Sequence, residues 1–309
     1  MTGLIIGAAG FVGGHLIAHL YKEGWQVSAT KMPHETQELP NAHVYTLDIL
    51  DENAVTDLIN RVHPNVIFHL AAQSSVAVSW EKPSLTVDVN IKGTLNLLEA
   101  VRRAQKPPRV LLIGSGEEYG TVPPENMPVR ENQSLNPNNV YAATKAAQGM
   151  LGQIYARAYG LDIIRVRAFN HTGPGQSDLF VLSNFCKQVA MIKSGLHPAE
   201  IRVGNLEARR DFCDVRDIVR AYCLLAERGQ PDGVYNVGSG KAISIREALD
   251  MILRLAGIDV TIIQDPARMV PSDTPLMVAD ITRLTAHTHW FPQISLETTL
   301  TDMLARWEP

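Results

Sequence analysis

The sequence is poor in the residues and patterns that mark several classes of protein. Only three of its 309 residues are cysteine, and the wide spacing of Cys186, Cys213 and Cys223 matches neither a disulfide framework nor a metal site. The formal net charge of -4 gives no basic surface that would attract nucleic acid. No apolar run approaches the roughly 20 residues that a bilayer-spanning helix needs. These absences argue against a metal-dependent, membrane-spanning or nucleic-acid-binding protein.

The start of the chain lacks the charged segment and cleavage site of a signal peptide. An odd number of cysteines without pairing logic suits a reducing compartment, so we expect a cytoplasmic location. Cys186 and Cys223 lie in apolar helical runs, where we expect them to pack in a core. Hydrophobic residues make up 45% of the chain, which is ordinary for a protein with a sizeable core.

The first half of the chain alternates short apolar strands with amphipathic helices. This pattern predicts a Rossmann-type doubly wound α/β fold, with a parallel sheet covered by helices on both faces. Leu16, Ile17 and Leu20 form the expected buried stripe of the first helix. The predicted strands are Leu4–Ile6, Gln26–Thr30, Val44–Leu47, Asn65–Leu70, Arg109–Ile113 and Asp162–Arg167, and the predicted helices are Phe11–Glu23, Glu52–Arg61, Asn90–Arg103 and Asn139–Tyr159.

After Asn170 the pattern changes to a Gly- and Pro-rich loop followed by shorter elements. We predict helices over Val181–Ser194, Asp214–Arg228 and Ile245–Ala256, and strands over Val234–Val237 and Val260–Ile263. The sequence therefore divides into a dinucleotide-binding domain, residues 1–168 plus about 212–232, and a smaller α/β lobe, about 169–211 and 233–309.

A glycine-rich turn, Gly7-Ala-Ala-Gly10-Phe-Val-Gly13, follows the first strand and opens the first helix. Glycines at this spacing permit a tight turn, close approach of the backbone to a pyrophosphate, and a phosphate at the helix N-terminus. The position of the turn, directly after the first strand, predicts that it binds a dinucleotide cofactor.

The end of the second strand bears on which cofactor is bound. NAD sites usually carry an acidic residue there that holds the ribose 2′-hydroxyl, but this strand ends Ala29-Thr30-Lys31. Lys31 either pairs with a 2′-phosphate as a point charge or is a solvated lysine. The sequence thus favours NADP(H), with NAD(H) as the alternative.

Other strand ends contribute further candidate residues. Asp48, in Asp48-Ile49, either accepts a hydrogen bond from adenine or caps the following helix. Ala71 and Ala72 end the fourth strand, where small side chains either let the cofactor approach or serve packing. Asn90 is either a helix cap or the holder of a water that relays protons to a catalytic lysine.

Tyr141 and Lys145 lie four residues apart on a predicted helix and so share one face. An ammonium group there is expected to stabilise a phenolate and lower the Tyr141 pKa, which makes Tyr141 an acid or base for catalysis. Ser115 ends an apolar strand, where it is placed to hydrogen-bond the same substrate oxygen. Glu117 is either a second base or the partner of a lysine.

A charged loop-like segment further along contains Arg210, and Arg268 follows later. Either guanidinium is suited to bind a diphosphate with paired hydrogen bonds, or is simply a surface charge.

Together these motifs resemble the extended short-chain dehydrogenase/reductase family. The resemblance rests on the glycine turn, Leu70-Ala-Ala-Gln-Ser-Ser-Val76, Ser115, Tyr141 with Lys145, Arg167-x-Phe-Asn170 and Tyr235-Asn-Val-Gly-Ser-Gly240. Because these motifs span nearly the whole chain, the match is specific. Within the family, Ala71–Ser79, Phe169–His171 and the segment from Gly204 to Phe212 are similar to enzymes that act on GDP-mannose derivatives.

The resemblance implies an NAD(P)H-dependent reductase that converts GDP-4-keto-6-deoxy-D-mannose to GDP-D-rhamnose, or a GDP-mannose 4,6-dehydratase. The segment Lys31–Glu35 is short and lacks the Arg pair of the dehydratases, and Gly116 replaces a residue of their strand-end motif, so we favour the reductase. Glu117, which the dehydratases use, keeps the second activity open. A 4-epimerase and a non-catalytic cofactor sensor are more remote alternatives.

The resemblance also implies which residues bind ligands. The implied cofactor-binding residues are Gly7, Gly10, Phe11, Val12, Gly13, Lys31, Asp48, Ile49, Leu70, Ala71, Ala72, Asn90, Tyr141, Lys145 and Ala168. The implied substrate-binding residues are Gln73, Ser74, Ser115, Glu117, Asn170, Val181, Asn184, Asn205, Arg210, Arg268 and Asp273. The long helices Asn90–Arg103 and Asn139–Tyr159 correspond to a four-helix contact in relatives, which implies a homodimer.

Overall fold

The computed structural model of the chain describes residues 1–268 and 274–307. Within these ranges, seven strands form one parallel sheet in the order β11-β6-β5-β4-β1-β2-β3. These strands are β1 (Thr2–Ile6), β2 (Gln26–Lys31), β3 (His43–Thr46), β4 (Val66–His69), β5 (Arg109–Ser115), β6 (Ile163–Ala168) and β11 (Val234–Val237). The order reverses between β1 and β4, so the Rossmann-type doubly wound fold predicted from the sequence is confirmed.

Helices cover both faces of this sheet. One face carries α1 (Phe11–Lys22), α8 (Val215–Arg228) and α10 (Thr282–Thr288), and the other carries α2 (Glu52–Val62), α5 (Gly93–Arg103) and α6 (Val140–Tyr159). Leu16, Ile17 and Leu20 are buried in the first of these cores, as their helical spacing predicts.

The segment before α5 differs from the prediction of one helix beginning at Asn90. The chain is already helical in α3 (Val76–Glu81) and α4 (Pro83–Val87), and a π-helical turn over Asp88–Lys92 joins α4 to α5. Asn90 therefore lies inside a helical run and caps nothing. π-helical turns inside helices occur often at functional sites.

A second hydrophobic core belongs to the smaller lobe. It is built mainly from α7 (Val181–Lys193), α9 (Ile245–Ala256) and α11 (Leu296–Trp307). The short strands outside the main sheet are β7 (Asn170–Thr172), β8 (Glu200–Val203), β9 (Arg209–Arg210), β10 (Phe212–Asp214), β12 (Ile243–Ser244), β13 (Thr261–Gln264) and β14 (Leu276–Met277).

One part of the division made from the sequence is wrong. The strand β11, assigned to the smaller lobe, pairs in parallel with β6 at an edge of the main sheet. Its residues Tyr235 and Val237 are buried in the same core as α8, and Leu284 of α10 joins them there. The sequence of a four-residue apolar strand does not indicate which sheet the strand joins, because strand pairing depends on contacts with residues distant in sequence.

Cys186, Cys213 and Cys223 are all buried, unpaired thiols. The prediction that Cys186 and Cys223 pack in a core is confirmed. Among the described residues, no helix is both long and apolar enough to cross a membrane.

Candidate active site

The carboxyl ends of β1, β4, β5 and β6 meet at one edge of the sheet, beside the point where the strand order reverses. In open α/β sheets, crevices at this position are where ligands bind. The glycine turn, Ala71, Ser115 and Ala168 all lie at or just beyond these strand ends.

The glycine turn is shaped by close backbone contacts. Gly7 has φ of +83°, and a Cβ there would collide with the backbone of Ala71. The Gly7 N–H donates to Thr30 Oγ1 at 2.9 Å, which fixes the turn against β2. A Cβ on Gly13 would collide with the backbone of Ala8. Only glycine fits at residues 7 and 13, and the turn therefore brings bare backbone to the crevice.

The helix α1 begins directly after this turn with an open N-terminus. Gly10 is the N-cap and offers no side chain to the first N–H groups of the helix, and the first turn holds no acidic residue. The N–H groups of Phe11 and Val12 therefore remain available, and the helix dipole favours an anion there. These residues fit the pyrophosphate of a dinucleotide cofactor.

Lys31 ends β2, and its Nζ donates to the carbonyl of Gln37 at 3.1 Å. The nearest acidic side chain in sequence, Glu35, accepts the N–H of Met32 at 2.6 Å. The loop after β2 thus folds on itself and leaves Lys31 as the charged side chain at the strand end, partly exposed to solvent.

Asp48 does not cap the following helix. Its Oδ1 accepts the N–H of Leu50 at 2.9 Å in a local turn, while Asp51 caps α2 through the N–H of Ala54 at 3.0 Å. Because the loop turns before α2, the cap falls three residues later than predicted. Asp48 itself is exposed, whereas the neighbouring Ile49 is buried in the core beneath α5.

Asn90 fastens the loop after β4 to α6. Its Oδ1 accepts the N–H of Gln73 at 2.8 Å, and its Nδ2 donates to the Gln73 carbonyl at 3.1 Å and to Thr144 Oγ1 at 2.9 Å. Both Asn90 amide hydrogens are therefore used inside the protein. Asn90 thus links the loop after β4 to α6, whereas either a helix cap or the holder of a water that relays protons was expected from the sequence.

The Gln73 side chain is also engaged within its own loop. Its Nε2 donates to the Ser75 carbonyl and to Thr86 Oγ1, each at 3.0 Å, and its Oε1 accepts the Ser75 N–H at 2.6 Å. Its neighbour Ser74 is exposed at the rim. Of these two residues predicted to contact substrate, Ser74 is the one whose side chain is open to the crevice rim.

Tyr141 lies in the first turn of α6. The Tyr141 N–H donates to the buried hydroxyl of Ser79 at 3.3 Å, and the N-cap Asn139 accepts the Ala142 N–H at 2.8 Å. The Ser115 hydroxyl lies near enough to Tyr141 to lower the pKa of the phenol, so the structure brings this predicted pair together. The start of α6 is thereby held against both α3 and β5.

Lys145, one turn further on, is buried and points towards β5. Its Nζ donates to the carbonyl of Ile113 at 2.7 Å and to Gln148 Oε1 at 3.0 Å. Burial lowers the pKa of Lys145 to about 8, and the carboxylate of Glu118 acts in the opposite direction. Lys145 is thus an ammonium group that loses its proton close to neutral pH.

His69 at the end of β4 lies near Lys145. Its Nε2 contacts Thr94 Oγ1 at 2.9 Å, and the Thr94 hydroxyl itself donates to the Asn90 carbonyl. The imidazole therefore donates through Nε2. Burial and the positive charge of Lys145 lower the pKa of His69 to about 3, so this ring is neutral across the physiological range.

The expected lowering of the Tyr141 pKa is wrong for this arrangement. Burial raises the pKa of Tyr141 above its ordinary value, Glu117 and Glu118 add to the rise, and the nearby Ser115 hydroxyl opposes it. The Lys145 ammonium, which donates to Ile113 and Gln148, does not offset the effect of burial. Tyr141 therefore holds its proton at neutral pH.

Glu117 stands beside this centre and is partly exposed. Its Oε2 accepts a hydrogen bond from Asn139 Nδ2 at 3.3 Å, and its N–H donates to the Ser115 hydroxyl at 3.1 Å. The described residues include no lysine paired with Glu117, so the lysine-partner alternative is wrong, and its carboxylate faces the same region as Tyr141.

In the smaller lobe, the structure brings two of the predicted substrate residues together. Arg268 Nη1 donates to Asn184 Oδ1 at 3.0 Å, and Asn184 lies in the first turn of α7. The N-cap Phe180 leaves the N-terminus of α7 without a side-chain cap, so the backbone from Val181 onwards is open.

The remaining substrate candidates are more scattered. Asn170 is exposed at the start of β7, and Ala168 is buried at the end of β6. Arg210 lies in β9 and donates to the Thr274 carbonyl, while Asn205 Oδ1 accepts the Glu207 N–H at 2.9 Å. Asp273 lies outside the described residues.

Several residues of the site carried no signal in the sequence that we used. These are Asn139, which caps α6, Gln148, which bonds Lys145, and Glu118, which bonds the Ser115 backbone. Ser79 and Arg167 belong to motifs that carry the resemblance, but no role of their own was expected for them from the sequence. In the structure Ser79 bonds the start of α6 and Arg167 pairs with Glu118.

Comparison with known proteins adds to this geometry. Residues 4–303 match the family model described as GDP-mannose 4,6 dehydratase. GDP-6-deoxy-D-mannose reductase of Pseudomonas aeruginosa is 35% identical over 98% of this chain and 96% of its own length. GDP-mannose 4,6-dehydratase of Yersinia enterocolitica is 28% identical over 98% and 92%, respectively.

Solved structures agree with these sequence relatives. The NADPH complex of RMD from Pseudomonas aeruginosa superposes with a TM-score of 0.89 at 32% identity, covering 100% of this chain and 99% of that one. The NAD complex of UDP-glucose 4-epimerase from Thermus thermophilus gives 0.88 at 30% identity, covering 99% of each chain. The same fold thus carries both NADPH and NAD among its neighbours.

Proposed function

The chain belongs to the GDP-mannose 4,6-dehydratase family of extended short-chain dehydrogenases/reductases, and on that premise we propose that it reduces GDP-4-keto-6-deoxy-D-mannose to GDP-D-rhamnose with NADPH. The observation that carries the proposal is the placement of the Ser115 hydroxyl near Tyr141 at the carboxyl end of β5, beside the open start of α1. The near full-length similarity to a GDP-6-deoxy-D-mannose reductase supports this choice of reaction.

When bound at the glycine turn, NADPH would supply the hydride that reduces C4 of the sugar. Tyr141 gives its proton to the oxygen that develops negative charge at C4, and a phenol whose pKa lies above the ordinary value is protonated and ready for that transfer. The Ser115 hydroxyl donates a hydrogen bond to the same oxygen. Lys145, one turn along α6, contributes positive charge to the buried site in which the phenolate would form.

The nucleotide-sugar is held by the smaller lobe. We assign its diphosphate to Arg210, to the joined pair Arg268 and Asn184, and to the open N-terminus of α7 at Val181. Asn170 and Asn205 are proposed to bind the nucleotide-sugar, and Asp273 its guanosine end.

For the cofactor we assign Lys31 to the 2′-phosphate of NADPH. It is the charged side chain at the end of β2, where NAD-binding sites carry an acidic residue. The structural relative that binds NADPH supports this choice, while the relatives that bind NAD keep NAD(H) as a second cofactor.

A second activity, dehydration of GDP-mannose, is supported by Glu117. Its carboxylate is oriented by Asn139 and lies close enough to Tyr141 to raise the phenol's pKa. In a dehydratase this carboxylate would remove the C5 proton of the 4-keto sugar while the C6 hydroxyl leaves as water. The hydride taken from C4 would then return to C6, so no net NADPH would be consumed.

One assay separates the two activities. The protein is incubated with GDP-4-keto-6-deoxy-D-mannose and NADPH, and separately with GDP-mannose and NADP⁺. Loss of the reduced-nicotinamide absorbance in the first mixture, with no keto-sugar formed in the second, supports the reductase. Formation of the keto-sugar in the second mixture, without turnover in the first, would establish the dehydratase instead.

We also propose that two copies of the chain associate through α5 and α6. These helices expose Leu95, Met150, Ile154 and Tyr159, which are between 37% and 57% accessible. A second copy would remove this apolar surface from water.

The free, buried thiols fit a reducing compartment, and we place the enzyme in the cytoplasm.

A further inference from the structure

A buried ion pair lies directly behind the catalytic residues. Glu118, in the single 3₁₀ turn Gly116–Tyr119 that follows β5, is 2% exposed, and its Oε2 accepts from Arg167 Nε at 3.1 Å. Its other oxygen, Oε1, accepts the backbone N–H of Ser115 at 2.8 Å. Burial raises the pKa of Glu118 above its ordinary value, and the Arg167 charge and the Ser115 N–H oppose that rise. Because both oxygens accept hydrogen bonds, one of them from a guanidinium, the geometry favours the carboxylate form.

The surrounding backbone is shaped to admit this carboxylate. A Cβ on Gly114 would collide with Glu118 Oε1, so glycine is required on the strand beside it. On α6, Gly149 brings its backbone near Glu118 Oε2, and a Cβ there would lie at 3.9 Å. Gly149 is one turn beyond Lys145, so the carboxylate is placed beneath the part of the helix that carries Lys145.

Arg167 is itself held rigidly by the molecule. Its Nη1 donates to Tyr119 Oη at 2.8 Å and to the Glu131 carbonyl at 3.0 Å, and its guanidinium lies 4.8 Å from the centre of the Tyr119 ring. The Tyr119 hydroxyl donates to Asn236 Oδ1 at 2.7 Å. This network ties β6 and β11 to the turn that carries Glu118.

The carboxylate also shares an environment with Lys145. Gln148, which accepts a hydrogen bond from Lys145, and Glu118 line one cavity of about 130 Å³ between α6 and the sheet. Lys145 senses the charge of Glu118 from the turn, and the neutral His69 lies near it on β4. Glu118 is thus the anion that compensates the buried ammonium.

We propose that Glu118, held by Arg167, is a positioning residue for the reduction, which fixes Ser115 through its backbone N–H and keeps Lys145 charged beside Tyr141. This inference rests on the proposed function for the reaction it serves. The geometric support is that Glu118 bonds the N–H of the residue that carries the catalytic hydroxyl and shares a cavity with Gln148, the partner of Lys145.

Glu118→Gln tests the proposal. The amide keeps the shape but removes the negative charge, so Lys145 loses its proton more easily and its pKa falls. The alkaline limb of the kcat profile then moves to lower pH by about one unit, and turnover above that limb drops about tenfold. The KM for the nucleotide-sugar stays within about twofold, because Glu118 does not touch the substrate.

The matched control is Asp217→Asn. Asp217 is also buried, pairs with Arg220 at 2.7 Å, and accepts the N–H groups of Gln293 and Ile294 at 2.8 Å, but lies on α8 away from Lys145. The Asp217→Asn variant is expected to be less stable than the wild type, but its kcat should depend on pH as in the wild type. If both variants lose turnover equally and neither shifts the alkaline limb, the proposal is overturned.

A second variant covers the case in which Glu118→Gln does not fold. Replacing the pair together, Glu118→Met with Arg167→Met, exchanges a buried ion pair for apolar side chains of similar size, which folded proteins often tolerate. The alkaline limb is expected to move in the same direction. A folded double variant with unchanged kcat and an unchanged limb would refute the proposal.

A readout without substrate separates this proposal from the proposed function. The Lys145 13Cε resonance is titrated by NMR in protein labelled with 13C-lysine, and it is assigned by its loss in Lys145→Arg. A lower titration midpoint in Glu118→Gln supports the positioning role even if the wild-type protein reduces no GDP-keto-sugar. An unchanged midpoint contradicts it, whatever the substrate proves to be.

Discussion

Tyr141 shows how a raised pKa can serve the proposed reaction. Burial and the two neighbouring carboxylates favour the protonated phenol, while the nearby Ser115 hydroxyl acts in the opposite direction. A phenol that keeps its proton at neutral pH is suited to give it to a developing alkoxide. For the reductive direction, the environment of Tyr141 therefore favours the starting protonation state rather than the phenolate.

Removing the Tyr141 hydroxyl is expected to abolish most of the activity. Tyr141→Phe should lower kcat by a factor of about 100 or more, because general acid catalysis is lost, while the affinity for NADPH stays near the wild-type value. Steady-state turnover assays measure the change in kcat, and fluorescence titration measures the affinity for NADPH. Tyr155→Phe, on the same helix but bonded to Glu99, is the control, and near-normal kcat in Tyr141→Phe would contradict the assignment.

The charge of Lys31 is expected to discriminate between cofactors. Lys31→Ala should weaken NADPH binding about tenfold and leave NADH binding nearly unchanged, because a charge-assisted contact to the 2′-phosphate is lost. Side-by-side titrations with both cofactors measure the ratio, and Lys22→Ala, on the exposed end of α1, provides the control. A strong preference of the wild-type protein for NADH would rule out the assigned contact.

The catalytic residues could be predicted from the sequence where residue type and spacing alone identify them. Ser115 ends a strand and Tyr141 begins a helix, and both positions follow from local pattern. The roles of Asn90 and Asp48 were not predictable, because each depends on which distant backbone group its side chain meets. The same is true of Glu118, whose partner Arg167 lies 49 residues away.

The strands and helices of the main sheet were predicted to within a few residues because each repeats a strong periodic signal. The run from α3 to α5 was only partly predicted, since Pro83 interrupts the pattern and the π-helical turn has no sequence signature. The placement of β11 failed for a different reason. Its pairing with β6 depends on contacts across the molecule, and no local feature of the strand encodes them.

Asp211, between β9 and β10, joins three segments of the chain. It is fully buried, and its carboxylate accepts the N–H groups of Ser239, Gly240 and Ala279 together with the Ser239 hydroxyl. In Asp211→Asn, the side-chain NH2 group would face backbone N–H groups, and two donors cannot form a hydrogen bond with each other. The loop after β11 and the segment around residue 279 would then lose a common anchor.

We expect Asp211→Asn to lower the free energy of unfolding by about 2 kcal/mol, the cost of leaving a buried hydrogen-bonding group unmatched. Urea denaturation followed by circular dichroism measures the change. Asp250→Asn, on the exposed face of α9, should differ from wild type by no more than about 0.5 kcal/mol. Equal stability of the two variants would show that the Asp211 contacts contribute little.

The whole molecule combines a parallel sheet with a smaller lobe, and each has its own hydrophobic core. One core lies between the sheet and α1, α8 and α10, and another fills the smaller lobe. The chain passes between the two more than once, which the sequence already indicated. The exact crossings were not predictable, because they depend on where β11 and α10 pack.

The association of two copies is expected to depend on the exposed stripe of α5 and α6. Ile154→Glu places a charge in the middle of that stripe and should convert a dimer to a monomer at micromolar concentration. Sedimentation velocity or light scattering measures the mass. Tyr21→Glu, at a similarly exposed apolar residue of α1, is the control, and a wild-type protein that is already monomeric would contradict the proposed contact.

The helix α6 carries Tyr141 in its first turn and Ile154 further along, and at a rise of about 1.5 Å per residue the two lie roughly 20 Å apart on one rod. The same helix therefore serves two properties on two faces. Substitutions that change self-association fall on its outer face, and those that change proton transfer fall on its inner face. Because both faces belong to one helix, a substitution that alters one property must preserve the helix on which the other depends.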